Sequence, residues 1–204
     1  MDQPERAKLT YQDYASWEDD KRWELIDGEP FLMSPAPRIV HQRLVTKLSY
    51  AISSRLSGTG CEAFVSPIDV KFSESDVLQP DVVVVCDPTQ IKERFIAGPP
   101  TLVVEVLSPS SLRHDRLKKL QTYARFGVAE YWIVTPEPPL LEVLTLDQDK
   151  GYRISGTYTE RDTLTSSTLP ELSIPLEELF GSPREYPDEV REGTPPIAST
   201  LSSS

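Results

Sequence analysis

Apolar and polar residues alternate with two different periods along this chain, and each change of period marks an element. RWELIDGEPFLM, from Arg22 to Met33, alternates on either side of Asp27-Gly28, which predicts a hairpin closed by a type I′ turn. IVHQRLVTKLSYAISSRLSG instead sets Val40, Leu44, Leu48, Ala51, Ile52 and Leu56 at helical spacing, with Gly58 as the stop signal. Ahead of the hairpin, Thr10 stands three residues before Asp13, a capping box that opens a short helix with Tyr14 and Trp17 on one side. CEAFV, IDVKF, DVVVV and TLVVEV are short apolar runs bounded by breakers, and they read as strands. SSLRHDRLKKLQTYARFGV returns to the helical period and stops at Gly127. EYWIV and LLEVLTL are further strands parted by PEPP, GYRISGTYTERDTLTS reads as an exposed hairpin, and IPLEELF as a short terminal helix.

Helices separated by groups of strands predict one α/β sandwich, a central mixed β-sheet flanked by helices, over residues 1–182. No Gly-rich phosphate loop follows any strand. From residue 183 to 204 the chain turns to Pro, Ser, Thr and charge, and a disordered acidic tail is expected there.

The length of 204 residues suits a single domain with its own core. MDQPERAKLT does not read as a signal peptide, and no apolar run approaches the roughly 18 residues that would span a membrane. A soluble, cytoplasmic protein is expected. Cys61 and Cys86 stand alone at the edges of apolar stretches and read as buried free thiols. The net charge of −11 argues against a broad nucleic-acid-binding surface. A metal site built of carboxylates would itself add negative charge, which bound cations offset.

The chemistry gathers around LVVEV, residues 102–106, a doubly buried strand that nevertheless carries Glu105. If DVVVV and LVVEV pair as an antiparallel hairpin across residues 87–100, one register sets Asp81 opposite Glu105 and Val85 opposite Thr101. The two carboxylates then share a face at roughly 5 Å between Cβ atoms, and Val82, Val84, Val104 and Val106 line the other face as core. Carboxylates this close need a cation between them or one pKa rises. A hard divalent metal is one solution; the plainer one is a salt bridge for one acid and a solvated strand end for the other. On the following helix Asp115, Lys119 and Tyr123 fall four apart on one stripe, while Lys118 points about 100° away. Lys119 is thus the candidate cation, against the plain reading of a surface pair with Asp115.

WELIDGE at 23–29, MSPAPRIVHQ at 33–42, QPDVVVV at 79–85, PPTLVVEVLSPSS at 99–111 and DRLKKLQTYARFGVAEYWIV at 115–134 occur in this order. In that ordered set the chain resembles the Uma-type family of restriction endonucleases, within the PD-(D/E)XK nuclease superfamily, from about Leu9 to Phe180. The resemblance implies a restriction-endonuclease-like fold and metal-dependent endonuclease activity on DNA. It matches Asp81 and Glu105 to the two acids, which with the Val106 carbonyl would hold Mg2+ or Mn2+. The superfamily's lysine two residues after the second acid is here Leu107, and Lys119 matches the lysine that this family supplies from the next helix. Glu24 matches an early acid that orients the site; without the resemblance it reads as an exposed strand glutamate. His41, Asp115 and Tyr123 are candidates to face the site, although a lone helical histidine is more often a satisfied core or boundary residue. The relatives and the symmetry of two-strand cutting suggest a homodimer. The contrasting reading is a nuclease-fold domain that binds nucleic acid or protein without cutting, motivated by Leu107 and the acidic charge. A third is an α/β interaction domain in which Lys119 alone neutralises Glu105.

Overall fold

Asp27 and Gly28 close the first hairpin with φ of 53° and 76°, the pair of positive values that a type I′ turn requires. The hairpin joins β1 (Trp23–Ile26) to β2 (Glu29–Leu32), with Ile26 opposite Glu29. The structure is a computed structural model that describes residues 7–33, 37–108, 113–149 and 151–181, with the backbone alone for 113–116. The tail expected over 183–204 lies outside the described residues. Thr10 caps α1 (Tyr11–Ala15) through the reciprocal bonds of a capping box with Asp13, and α2 spans Ile39–Arg55.

The next strands are β3 (Glu62–Val65), β4 (Asp69–Lys71), β5 (Val77–Leu78) and β6 (Val82–Val85). A 3-10 turn at Pro88–Gln90 leads to β7 (Phe95–Ala97) and then to β8 (Leu102–Val106). After α3 (Arg113–Phe126) come β9 (Glu130–Thr135), β10 (Leu140–Leu146) and β11 (Tyr152–Tyr158). The described chain ends with β12 (Thr163–Thr165), β13 (Ser173–Pro175) and α4 (Glu177–Phe180).

A six-stranded mixed sheet in the order β11-β10-β9-β8-β6-β3 forms the middle layer, with β8 and β9 its parallel pair. On one face Val82, Val84, Val104 and Val106 pack against Leu44, Leu48 and Ile52 of α2, beside the β12–β13 hairpin and α4. On the other face Val83, Val85 and Val103 pack against Tyr123 of α3 and against Ile26, Val70, Leu78 and Ile96 of a second sheet, ordered β2-β1-β5-β4-β7. The expected sandwich of a mixed sheet between helices is therefore present. A second sheet shares one outer layer with α3.

Three local expectations are corrected. Cys61 and Cys86 are joined by a disulfide instead of standing as free thiols. The β3–β6 register pairs Glu62 with Val85, and one step further out it brings the two cysteines opposite each other. Residues 151–166 do not form their own hairpin: β11 pairs with β10 at the sheet edge, and β12 turns back on β13. The stretch 87–100, read as loop, contains β7, which pairs in parallel with β4.

Gly28 combines a positive φ with a crowded Cβ position. A Cβ there would lie 2.6 Å from the Cβ of Lys8, and the Gly28 amide and carbonyl already bond Ser75 and Leu9. Gly28→Ala is therefore expected to lower stability by more than about 1 kcal/mol, measured as a shift in urea midpoint. An unchanged midpoint would contradict this account of the turn.

Candidate active site

The register of β6 against β8 pairs Val82 with Val104, Val83 with Val103 and Val84 with Leu102. Continued one residue outward, it sets Asp81 opposite Glu105. Both carboxylates share the sheet face of Val83 and Val103, so they stand at the rim of a buried core. Glu105 keeps 12% side-chain exposure.

Three elements supply the partners. From β1, Glu24 is 2% exposed, in contrast to the exposed strand glutamate that its local sequence alone suggests. Its Oε1 accepts the backbone N–H of Gln79 at 2.8 Å and faces Lys119 Nζ at 2.9 Å. From α3, Lys119 Nζ also donates to Glu105 Oε1 at 3.1 Å, and the Tyr123 hydroxyl donates to the same oxygen at 2.8 Å. From α2, His41 Nε2 lies 3.2 Å from Asp81 Oδ2, which also accepts the Val106 N–H at 2.8 Å. Consecutive strand amides point to opposite sides. The Leu107 N–H bonds Val134 on β9, so the Val106 carbonyl points to the β6 side, towards Asp81.

The structure thus gathers Asp81, Glu105, Val106, Lys119, Glu24, Tyr123 and His41 in one place. The side chain of Asp115 lies outside the described residues. Helical phase separates the two lysines: Lys118 turns outward over the Phe31 ring, 4.1 Å from its centroid, and pairs with Glu29 at 3.5 Å. Gln79 escaped the reading of the sequence. Its amide donates to Asp69 and Tyr14 and accepts from Arg22, which fixes the segment leading into Asp81. The only sequence signal was its place in QPDVVVV.

The electrostatics follow from this crowding. Burial raises Glu105 to about 7; Lys119 opposes the rise, the charges of Asp81 and Glu24 add to it, and the Tyr123 hydrogen bond opposes it. Burial, then the charges of Glu105 and Glu24, push Tyr123 well above its ordinary value, so it stays a donor. Burial alone would lower His41, but the Asp81 hydrogen bond and the charges of Asp81 and Glu105 outweigh it and raise the imidazole.

Two cavities lie close by. One of about 410 Å3 sits between the β1–β2 turn and α3, lined by residues that include Asp27, Lys118 and Arg125. The other, about 260 Å3, is lined by Arg38, His41, Leu107 and Thr135 among others. His41 and Leu107 line the second of these, next to the carboxylate pair.

Residues 11–177 match the Uma2 family, described as "Putative restriction endonuclease". An uncharacterized protein of Synechocystis sp. is 34% identical over 165 residues, which cover 79% of this chain and 86% of that protein. The crystal structure of a "putative nuclease" from Anabaena variabilis aligns with a TM-score of 0.69 at 19% identity, covering 84% of this chain and 97% of that one. At that identity the likeness establishes a shared fold.

The raised Glu105 has a consequence for stability. A carboxyl with a raised folded pKa contributes fully at and below its ordinary range, and that contribution is lost as pH climbs through the folded value. Metal-free protein is therefore expected to lose stability relative to Glu105→Gln between the ordinary 4.5 and about 7. Urea midpoints across that range check this, and a constant difference would contradict it.

Proposed function

This chain belongs to the Uma2 family, and we propose that it is a metal-dependent endonuclease hydrolysing phosphodiester bonds in DNA. The observation that carries the reading is the β6–β8 register, which sets Asp81 opposite Glu105 while Lys119 Nζ lies 3.1 Å from Glu105 Oε1.

The residues fit a divalent cation. Among the described residues, Glu24 and Glu105 face the ammonium of Lys119 while Asp81 stands beside Glu105, a concentration of acid that one Mg2+ or Mn2+ would offset. Among the described residues, Asp81 Oδ1 and Glu105 Oε2 accept no hydrogen bond, while Oδ2 and Oε1 are each held by two donors. Also among the described residues, no three His, Cys, Asp or Glu side chains form a cage. A hard ion such as Mg2+ is typically bound through one or two carboxylates and several waters. Asp81 and Glu105 would hold it, with the Val106 carbonyl. When bound, such an ion lowers the pKa of a water and polarises a phosphate oxygen.

The chain's own groups then have separate tasks. Lys119 holds the attacking water and offsets charge growing on the phosphoryl group. Glu24, anchored by the Gln79 amide, keeps that ammonium from swinging away. Tyr123 fixes Glu105 Oε1 and leaves Oε2 for the ion. In this reading Lys119 takes from α3 the part that a lysine at position 107 would play.

Leu107 and the net charge of −11 favour a second reading, a nuclease-fold domain that binds nucleic acid or protein without cutting. One assay separates the two. Supercoiled plasmid incubated with Mg2+ or Mn2+ is expected to be nicked by the wild type. Glu105→Ala and Lys119→Ala, purified identically, should each lose on the order of 100-fold or more. Cleavage that survives Glu105→Ala would overturn the site, and a wild type silent on every DNA form would leave the binding domain as the reading.

A further inference from the structure

We propose that His41 is the positioning residue of Asp81: with the Val106 amide it clamps one carboxylate oxygen so that the other is presented to the cation. The inference rests on the metal reading above and deepens it.

Asp81 Oδ2 receives two groups, the Val106 N–H at 2.8 Å and His41 Nε2 at 3.2 Å. Oδ1 receives none among the described residues. Glu105 is held in the same manner, with Lys119 and Tyr123 both on Oε1. Each acid therefore has one oxygen fixed and the other open, and the side chains that fix them come from different helices. Lys119 and Tyr123 belong to α3, whereas His41 belongs to α2, whose Leu44 and Leu48 pack on the far face. Asp81 is thus held by His41 and the Val106 amide, not by Lys119 or Tyr123.

The other end of the imidazole argues that this contact is why the residue is a histidine. His41 is 7% exposed, and among the described residues its buried Nδ1 has no hydrogen-bond partner. A buried polar atom left unsatisfied is costly and calls for an explanation. A leucine would occupy this buried position of α2 without that cost. What a leucine lacks is the Nε2–H donor. The neutral Nε2–H tautomer and the imidazolium both donate from Nε2, so the clamp does not depend on which of the two is present. Groups that hydrogen-bond a metal-ligating carboxylate fix its orientation and tune affinity.

Mn2+ titration calorimetry on the full chain tests this with wild type, His41→Leu and His41→Gln. The glutamine amide nitrogen can reach the position of imidazole Nε2, so it keeps the donor. His41→Leu is expected to weaken Mn2+ binding roughly 10- to 100-fold, with no fall in melting temperature because an unsatisfied buried atom has been removed. His41→Gln is expected to restore most of the affinity. Equal affinity in wild type and His41→Leu would overturn the inference alone, as would an equal loss in both variants. No Mn2+ binding by the wild type would overturn the metal reading, and this inference with it.

Discussion

The antiparallel pairing of β6 with β8 decides whether this protein has a site at all. Both strands are built almost wholly of valine, and both of their faces are buried, so hydrophobic burial alone discriminates poorly between registers. A slip of one residue would nonetheless turn Glu105 onto the α2 face, among Leu44, Leu48 and Ile52, where the α3 lysine and tyrosine could not reach it. The polar groups at the strand ends settle the matter. Asp81 Oδ2 accepts the Val106 N–H, a bond that exists only when Asp81 stands beside Glu105. The contact that sets the two acids side by side is therefore the same contact that fixes one oxygen of Asp81.

Around that pair the fold brings polar side chains in from separate elements. The β1–β2 hairpin contributes Glu24, α3 contributes Lys119 and Tyr123, and α2 contributes His41. Removing an ion from water is expensive unless partners replace the solvent. Here Lys119 serves two acids, while burial first, and then the charges of Asp81 and Glu24, raise Glu105 against it. The acidic net charge of the chain takes on a different meaning in this light. It describes the whole chain, whereas the proposed cation site is set locally by Asp81, Glu105 and Glu24.

Much of this was legible in the residues, and the reasons differ element by element. Asp27-Gly28 and the Thr10–Asp13 box are local chemistry, readable without knowing the fold. The 3.6-residue period of α3 was enough to place Lys119 on the stripe of Tyr123 and to turn Lys118 away. Placing Asp81 beside Glu105 needed only the assumption that two neighbouring apolar runs pair. What the sequence hid depends on contacts between distant segments. Cys61 and Cys86 meet because β3 pairs with β6, a pairing that no local pattern announces. β5 has two residues and β7 three, too short for a period, and each is a strand because of its neighbours in the second sheet. β11 has the alternation of a hairpin arm, yet its partner is the preceding β10. Gln79 acts through its backbone amide as well as its side chain, and a backbone contact leaves little trace in residue type.

The most direct test of the central claim is anomalous diffraction from crystals of the protein grown with Mn2+. The account predicts a manganese peak between Asp81 and Glu105, bound through Asp81 Oδ1 and Glu105 Oε2, with Lys119 still against Glu24. A manganese-saturated crystal with no peak between these two carboxylates, or with the ion held elsewhere, would contradict it.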